Sequence, residues 1–409
     1  MSEQKRRAYV TGMGVVSCLG VGVDNFRQAL LAGESGLRPL TRFDLEGSPY
    51  TVGGEVTGLD LVPFVESRVS MAAQMAGAAA AEAIQEVSPA DRESLGIVLS
   101  SNFGPYEVLE AIEDGEPLPP GSAGGDSFFA RGPLGWDSDY VAERIGARGQ
   151  QCSVSLSCSS GNAAIDHARR LITSGSADMV LAGGYDSIQK MSWAGLSCLR
   201  VMTTDKEGGN PKVRPFDANR SGTLFSEGAG MVLLEEGDHA RRRGATPWAE
   251  VCGAASNNNA FHMTHADKEG RATAEVIRMA LDEGELDPAE VDFINAHGTG
   301  TKLNDVIETR AFEAVFGKRA LDIPVTSIKG GLGHGMGAAS ALEAVSCVLS
   351  LCDGVIPPTL HGTEPDPEIG LDVVRETPRE GAIEVAVNNS AGIGGSNSAV
   401  VFRRTPSSG

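Results

Sequence analysis

A strand, a turn of small residues and a helix occur twice in this chain, and that repeat restricts the available folds more than any other feature. In the first copy, residues 151–156 read as a short strand that meets Ser157-Cys158-Ser159-Ser160-Gly161. Ala164, Ile165, Ala168, Leu171 and Ile172 then mark one face of a helix. In the second, residues 323–327 meet Gly330-Gly331-Leu332-Gly333-His334-Gly335. The helix that follows, 336–351, is apolar nearly all round, so it should be buried. Each copy then reaches a Gly-rich turn and a closing strand: Glu227-Gly228-Ala229-Gly230 before 231–234, and Gly394-Gly395-Ser396-Asn397 before 398–402. Apolar runs at 7–16, 96–101, 178–182, 248–254, 292–295 and 383–387 read as further strands, with helical patterns at 25–32, 71–84 and 271–283. This alternation predicts an α/β fold with largely parallel, buried strands. A charged turn at 241–244 separates the copies, predicting halves at 1–243 and 244–409. Segments 104–131 and 204–212, rich in Gly, Pro and charge, read as surface insertions.

Composition excludes several classes of function. Lys and Arg total 34 against 54 Asp and Glu, a net charge of −20, which is the wrong sign for a binder of nucleic-acid backbone. No run approaches the ~20 apolar residues needed to cross a bilayer. The start, Met1-Ser2-Glu3-Gln4-Lys5-Arg6-Arg7, makes a poor signal peptide. Cys18, Cys152, Cys158, Cys198, Cys252, Cys347 and Cys352 are scattered without Cys-x-x-Cys spacing, so neither a disulfide framework nor a bound metal is expected. A cytoplasmic protein with reduced thiols is the expectation.

Of the seven cysteines, Cys158 alone follows a strand and enters a helix amid small polar neighbours. Backbone N–H groups at a helix start favour a thiolate and can hold a developing oxyanion. The commoner fate of a cysteine is a buried core position, which is expected for Cys152, Cys198, Cys252, Cys347 and Cys352. His297 caps a strand end before Gly298-Thr299-Gly300-Thr301, and His334 lies between a strand and a helix start, where the helix end disfavours an imidazolium. A lone histidine is more often structural, but two at equivalent strand ends beside a third bearing a cysteine suggest a site. Lys329 stands in a stretch otherwise free of charge; buried, it needs a partner, and Glu343 is the acid in the following apolar helix.

Together these motifs resemble the elongating β-ketoacyl–acyl carrier protein synthases and their polyketide ketosynthase relatives, along essentially the whole chain. The likeness opens with Val10-Thr11-Gly12-Met13-Gly14-Val15-Val16-Ser17 and Leu31-Ala32-Gly33-Glu34-Ser35-Gly36. It runs through the Cys158 turn, Arg214-Pro215-Phe216-Asp217 and Phe261-His262-Met263-Thr264. Its most specific parts are His297-Gly298-Thr299-Gly300-Thr301 with Asn304, Asp305 and Glu308, and Ser327-Ile328-Lys329 leading to Gly333-His334. Ile356-Pro357-Pro358-Thr359, Asn389-Ser390 and Gly394-Gly395-Ser396-Asn397 close it.

The resemblance implies a thiolase-like fold: two pseudo-duplicated halves whose mixed sheets are layered between helices (αβαβα), commonly paired as a homodimer, or with a related ketosynthase-like chain. It implies that Cys158 takes an acyl chain from the phosphopantetheine of an acyl carrier protein. His297 and His334 would support decarboxylation of a malonyl–carrier protein, and the N–H groups of Cys158 and Ile393 would hold the oxyanion. Lys329, paired with Glu343, would organise the His334 side. Asp305 and Glu308 would support the site, and Thr299 and Thr301 would bond the phosphopantetheine arm. No cofactor bound to the enzyme itself is implied. Two alternatives stay open: a non-catalytic partner resembling the chain-length factors, and an acyltransferase or decarboxylase that does not elongate.

The chain departs from the family pattern at a gate. Asn389-Ser390-Ala391-Gly392-Ile393-Gly394-Gly395 carries Ala391 and Ile393 where the family has two phenylalanines. Ser221 and Ser226 replace Asp and Gly, and Asp205 lies where many relatives carry a basic docking residue. These changes predict a specialised, secondary-metabolic ketosynthase with an altered acyl pocket. Lys206, Lys212, Arg214 and Arg220 are the candidate carrier-docking residues.

Overall fold

The computed structural model describes residues 5–67, 69–115, 133–204, 211–262 and 266–405. In the first half, strands β1 (Ala8–Ser17), β2 (Gly96–Ser100), β3 (Gln151–Val154), β4 (Met179–Asp186) and β5 (Gly228–Glu236) lie in the order β3-β2-β4-β5-β1. In the second, β6 (Ala249–Asn258), β7 (Phe293–Asn295), β8 (Val325–Thr326), β9 (Val385–Ala391) and β10 (Ser396–Arg404) lie in the order β8-β7-β9-β10-β6. Orientation repeats as well as order. β2 runs parallel to β3 and β4, as β7 does to β8 and β9, and the two remaining pairings of each half are antiparallel. The halves join edge to edge where Ala8, Tyr9 and Val10 pair with Val251, Glu250 and Ala249.

Six helices position the site: α1 (Met71–Ala83), α2 (Tyr106–Glu113), α3 (Ser160–Thr173), α4 (Arg271–Glu283), α5 (Asn304–Phe316) and α6 (Ala339–Asp353). α3 and α6 touch each other and strands of both halves, forming the middle of five layers. A β-carbon on Gly161 of α3 would sit 2.5 Å from the Ala341 nitrogen of α6, so glycine is needed at the crossing. α1 covers β1, β5 and β4 from one outer side, and alanine lets it come close: a β-carbon on Gly14 would lie 1.9 Å from the Ala79 oxygen. α4 covers β6 and β10 from the other, burying Ala274, Ile277, Ala280 and Leu281 at helical spacing. Burial of Ile277 and of Leu281 each contributes about 1.5–3 kcal/mol.

α6 is buried from Ala339 to Leu351, as its uniform apolarity predicts. The stretch Met336–Asp353 has the length and mean hydropathy (1.3) of a membrane span, but 89% of it is buried within the protein, so its apolarity serves the core. Two expectations change. The segment from residue 104 is not a loop at its start: it forms α2, with Glu107, Val108 and Ala111 buried. Its spacing is helical, but Gly104, Pro105 and the charges dominate a composition-based reading; residues 116–132 lie outside the described residues. Cys198, expected in the core, is exposed.

Glu107 gives α2 a measurable signature. Its Oε1 accepts the Met71 N–H (2.8 Å) and the Gln189 amide (2.9 Å), while Oε2 has no partner. Burial pushes its pKa up to about 7 from the usual 4.5. Between those values the folded protein holds a proton that the unfolded chain has lost, so stability from this group falls as pH rises through 7. Glu107→Gln is therefore expected to match wild type near pH 4.5 and to exceed it by about 1–3 kcal/mol at pH 8. Urea denaturation at both pH values checks this; a constant difference would contradict it.

Candidate active site

The turn that carries Cys158 is stitched together by hydroxyls. After β3, Ser157 adopts φ 54°, a left-handed conformation that a non-glycine residue holds only under constraint. The Ser160 hydroxyl donates to the Ser157 oxygen (2.5 Å), and the Leu156 N–H donates to Ser160 Oγ (2.7 Å). From the other half, Ser396 Oγ donates to the Leu156 oxygen (2.9 Å) and Ser390 Oγ to the Cys158 oxygen (3.1 Å). Serines around Cys158 thus add to the backbone bonds Ser159 N–H to Leu156 oxygen (3.2 Å) and Ser160 N–H to Ser157 oxygen (3.0 Å) at a turn shared by both halves. A β-carbon on Gly392 would lie 3.0 Å from the Cys158 nitrogen, so the β9–β10 turn presses on Cys158.

Cys158 is buried, and burial raises its thiol pKa. The Ser157 hydroxyl, the Ile393 N–H and the Lys329 charge oppose that rise without cancelling it. The thiolate expected from a helix start is therefore not the resting state, because desolvation outweighs the helix end. Both histidines are held neutral for the same reason. Burial, then the charge of Lys329, lowers His334 to about 3, and the same two causes with His334 itself hold His297 well below its usual value.

His297 follows β7 in a loop shaped by the Glu308 carboxylate of α5. Glu308 accepts the N–H groups of His297 (2.6 Å) and Gly298 (2.9 Å) and the Asn389 amide (2.8 Å). Asp305 accepts the Phe216 N–H (2.8 Å), tying the adjoining segment to the same helix. Burial raises Glu308 to about 7 and Asp305 to about 6. His334 Nδ1 accepts the Met336 N–H (3.0 Å), so in the neutral ring the proton sits on Nε2. The two imidazoles lie 5.3 Å apart, nearly perpendicular at 85°.

Lys329 and Glu343 form an ion pair with both side chains 1% exposed. Lys329 Nζ donates to the His297 oxygen (2.6 Å) and lies 3.4 Å from His297 Nδ1. The lysine thus bonds the His297 side, not the His334 side that the resemblance implies, because the one-turn helix Lys329–Leu332 directs it back across the loop after β7. Glu343→Ala should cost about 3–5 kcal/mol by leaving a buried, unpaired ammonium. Glu343→Leu combined with Lys329→Met should recover much of that loss in urea denaturation. A double variant no better than Glu343→Ala would contradict the pairing.

These groups converge on a cavity of about 380 Å³ lined by Cys158, His297, His334, Thr299, Thr301, Ala391 and Ile393. The Thr299 and Thr301 hydroxyls are 2.9 Å apart, and Ile393 is 40% exposed at the opening. Arg200 and Lys302 also line the cavity and are exposed. Two candidate docking residues are not available: Arg214 and Arg220 are each 5% exposed, and Arg220 is held by the Thr301 and Lys302 oxygens and Asp366. Lys206 and Asp205 lie outside the described residues.

Sequence reasoning missed Asp186. Its carboxylate, raised to about 6 by burial, accepts Ser101 Oγ (2.5 Å) and the N–H groups of Phe103 (3.1 Å) and Gly337 (2.6 Å). It pins the loop after His334 to the first half. An acid at a strand end gives no local signal of such reach. Phe225, whose ring lies 5.6 Å from that of His334, was missed likewise.

Two α/β halves of equal topology, closing on a cysteine and two neutral imidazoles, define a protein of the thiolase-like fold. The chain belongs to the β-ketoacyl synthase family: the models described as Beta-ketoacyl synthase, N-terminal domain and C-terminal domain match residues 5–240 and 248–363. It is 34% identical to a 3-oxoacyl-[acyl-carrier-protein] synthase 2 of Coxiella burnetii, over 98% of this chain and 99% of that one. It is 36% identical to the tetracenomycin polyketide synthase ketoacyl synthase alpha subunit of Streptomyces glaucescens, over 98% and 97%. Among solved structures, the ishigamide ketosynthase/chain length factor superposes with TM-score 0.88 at 34% identity, covering 98% of this chain and all of that one.

Proposed function

We propose that this chain joins a Cys158-bound acyl group to a malonyl unit by decarboxylative Claisen condensation. The observation that carries the reading is the meeting of Cys158, His297 and His334 on one cavity. In the first step Cys158 sulfur attacks the thioester carbonyl of an acyl–carrier protein. Its proton leaves with the pantetheine thiol, giving acyl-Cys158. In the second, the bond between the malonyl carboxyl and α-carbon breaks, carbon dioxide departs, and the electron pair forms an enolate at the thioester. The Nε2–H of His334 and the His297 ring face that oxygen; a neutral imidazole can donate without first losing a proton to solvent. The α-carbon then attacks the acyl-Cys158 carbonyl, and the N–H groups of Cys158 and Ile393 receive the oxyanion. Its collapse expels the Cys158 thiolate, which takes a proton from water to restore the resting thiol, and yields a β-ketoacyl–carrier protein.

Thr299 and Thr301 hold the pantetheine arm, with Asp305 and Glu308 supporting their loop. Exposed Arg200 and Lys302 supply positive charge at the mouth of a chain that is otherwise strongly acidic, which favours approach of an acidic carrier there. Ala391 and Ile393 open the gate to an unusual acyl chain in a specialised polyketide or fatty-acid-like pathway. The protein acts in the cytoplasm as a homodimer or paired with a related chain. The division between halves falls at 243/244, supported by Gly244, whose φ of 78° ends the helix Gly237–Arg243.

Mixing purified protein with malonyl–carrier protein and a series of acyl–carrier proteins of varied chain length, branching and unsaturation tests this reading. The expected product, read by mass spectrometry of the carrier, is a β-ketoacyl chain two carbons longer than the acyl group loaded, with an ordinary hexanoyl chain extended less readily than the preferred one. Acetyl–carrier protein with no extended product would instead show a decarboxylase.

A further inference from the structure

Five serines build the turn of Cys158, and four of their hydroxyls are spent on carbonyl oxygens. Ser160 donates to Ser157, Ser396 to Leu156, Ser390 to Cys158, and Ser159 to Ser390 (3.2 Å). The fifth points elsewhere. The Ser157 hydroxyl lies 3.9 Å from the Cys158 sulfur, and among the described residues that is its one hydrogen-bonding contact. Its place is fixed from two sides. The backbone holds φ 54°, and the side chain packs where Gly392 has none: a β-carbon there would lie 2.9 Å from Ser157 Cβ. While Cys158 is a thiol, either group can be the donor. Once the sulfur is an anion, only the serine can.

The condensing reaction proposed above, on which this inference rests, puts negative charge on that sulfur twice. In loading, the thiol gives up its proton, which leaves with the pantetheine thiol, as sulfur bonds the acyl carbon. In the last collapse, the bond from sulfur to the acyl carbon breaks and its electron pair stays on sulfur. Other donors are engaged at these moments. The N–H groups of Cys158 and Ile393 hold the oxyanion, and Lys329 Nζ is held by Glu343 and the His297 oxygen. Of the charged and titratable groups around the sulfur, Lys329 favours the anion and Asp186 opposes it; His297 and His334 are neutral, and Arg200 and Lys302 line the cavity further out. We propose that the Ser157 hydroxyl donates to the anionic Cys158 sulfur, both as it attacks the carrier thioester and as it leaves the β-ketoacyl product. An ionised acceptor draws a shorter bond than the 3.9 Å seen beside the neutral thiol.

Two variants test this. Ser157→Ala removes the hydroxyl, and Ser157→Gly removes it while suiting the left-handed backbone, so a strained turn and a lost donor are told apart. Iodoacetamide alkylation, followed across pH at the Cys158 peptide by mass spectrometry, needs no substrate. In both variants its profile should move to higher pH. At pH 8 the rate should fall about threefold, because a tenfold loss of thiolate is partly offset by the greater nucleophilicity of what remains. Acyl transfer to Cys158, measured with the acyl–carrier protein series, should slow about tenfold. Decarboxylation of malonyl-pantetheine, which breaks no bond to Cys158, should lose less than loading does. An alkylation profile that stays in place overturns the assignment. So do equal losses in loading and decarboxylation, or wild-type behaviour in Ser157→Gly. Wild-type protein that neither loads nor decarboxylates would overturn the condensing reaction itself, a separate result, since the alkylation profile is read without either step.

Discussion

Cys158→Ala is expected to lower condensation by about four orders of magnitude or more while leaving the fold intact. The side chain is small, buried, and contributes little to the core beyond one sulfur atom. The turn around it is held by backbone and serine hydroxyls that the substitution does not touch. Denaturation by urea should therefore shift by less than about 2 kcal/mol. Rates of β-ketoacyl formation, measured with carrier-bound substrates, check the first half. Condensation surviving within about tenfold of wild type would place the nucleophile elsewhere.

The second large effect separates the two chemical steps. His334→Ala should load an acyl group on Cys158 at near the wild-type rate, yet decarboxylate a malonyl thioester about 100- to 1,000-fold more slowly. His334 stands across the cavity as a neutral donor, fixed by the Met336 N–H on its other nitrogen. Its pKa of about 3 also sets a pH expectation. The ring stays deprotonated throughout the range above that value, so wild-type decarboxylation should show no His334 titration near the usual 6.5. Efficient decarboxylation by the variant, or an inflection near 6.5 that vanishes with it, would contradict the role.

Much of the fold was legible because its signals are local. A turn of serines before an amphipathic helix and a glycine-rich turn before an apolar one both announce a strand-to-helix junction. The all-round apolarity of α6 foretold its burial. α2 was lost because Gly104, Pro105 and neighbouring acids outweigh three buried positions in a short helix. The principal site residues stand in motifs at strand ends, so sequence could name them. What it could not give was the field they share. The bond from Lys329 to the His297 oxygen, the burial that holds Cys158 protonated, and the Asp186 clasp between halves all arise where segments distant in sequence pack together. Arg214 and Arg220 likewise read as surface cations until their burial behind the cavity is seen.

The central claim is that Cys158 carries the acyl group. Intact-protein mass spectrometry after incubation with an acyl–carrier protein tests it most directly, with peptide mapping to locate the adduct. The account predicts one acyl group on wild type, mapped to the peptide containing Cys158, and none on Cys158→Ala. An adduct that persists in that variant, or its absence from wild type with every carrier tried, would contradict the claim; the latter would favour a non-catalytic partner.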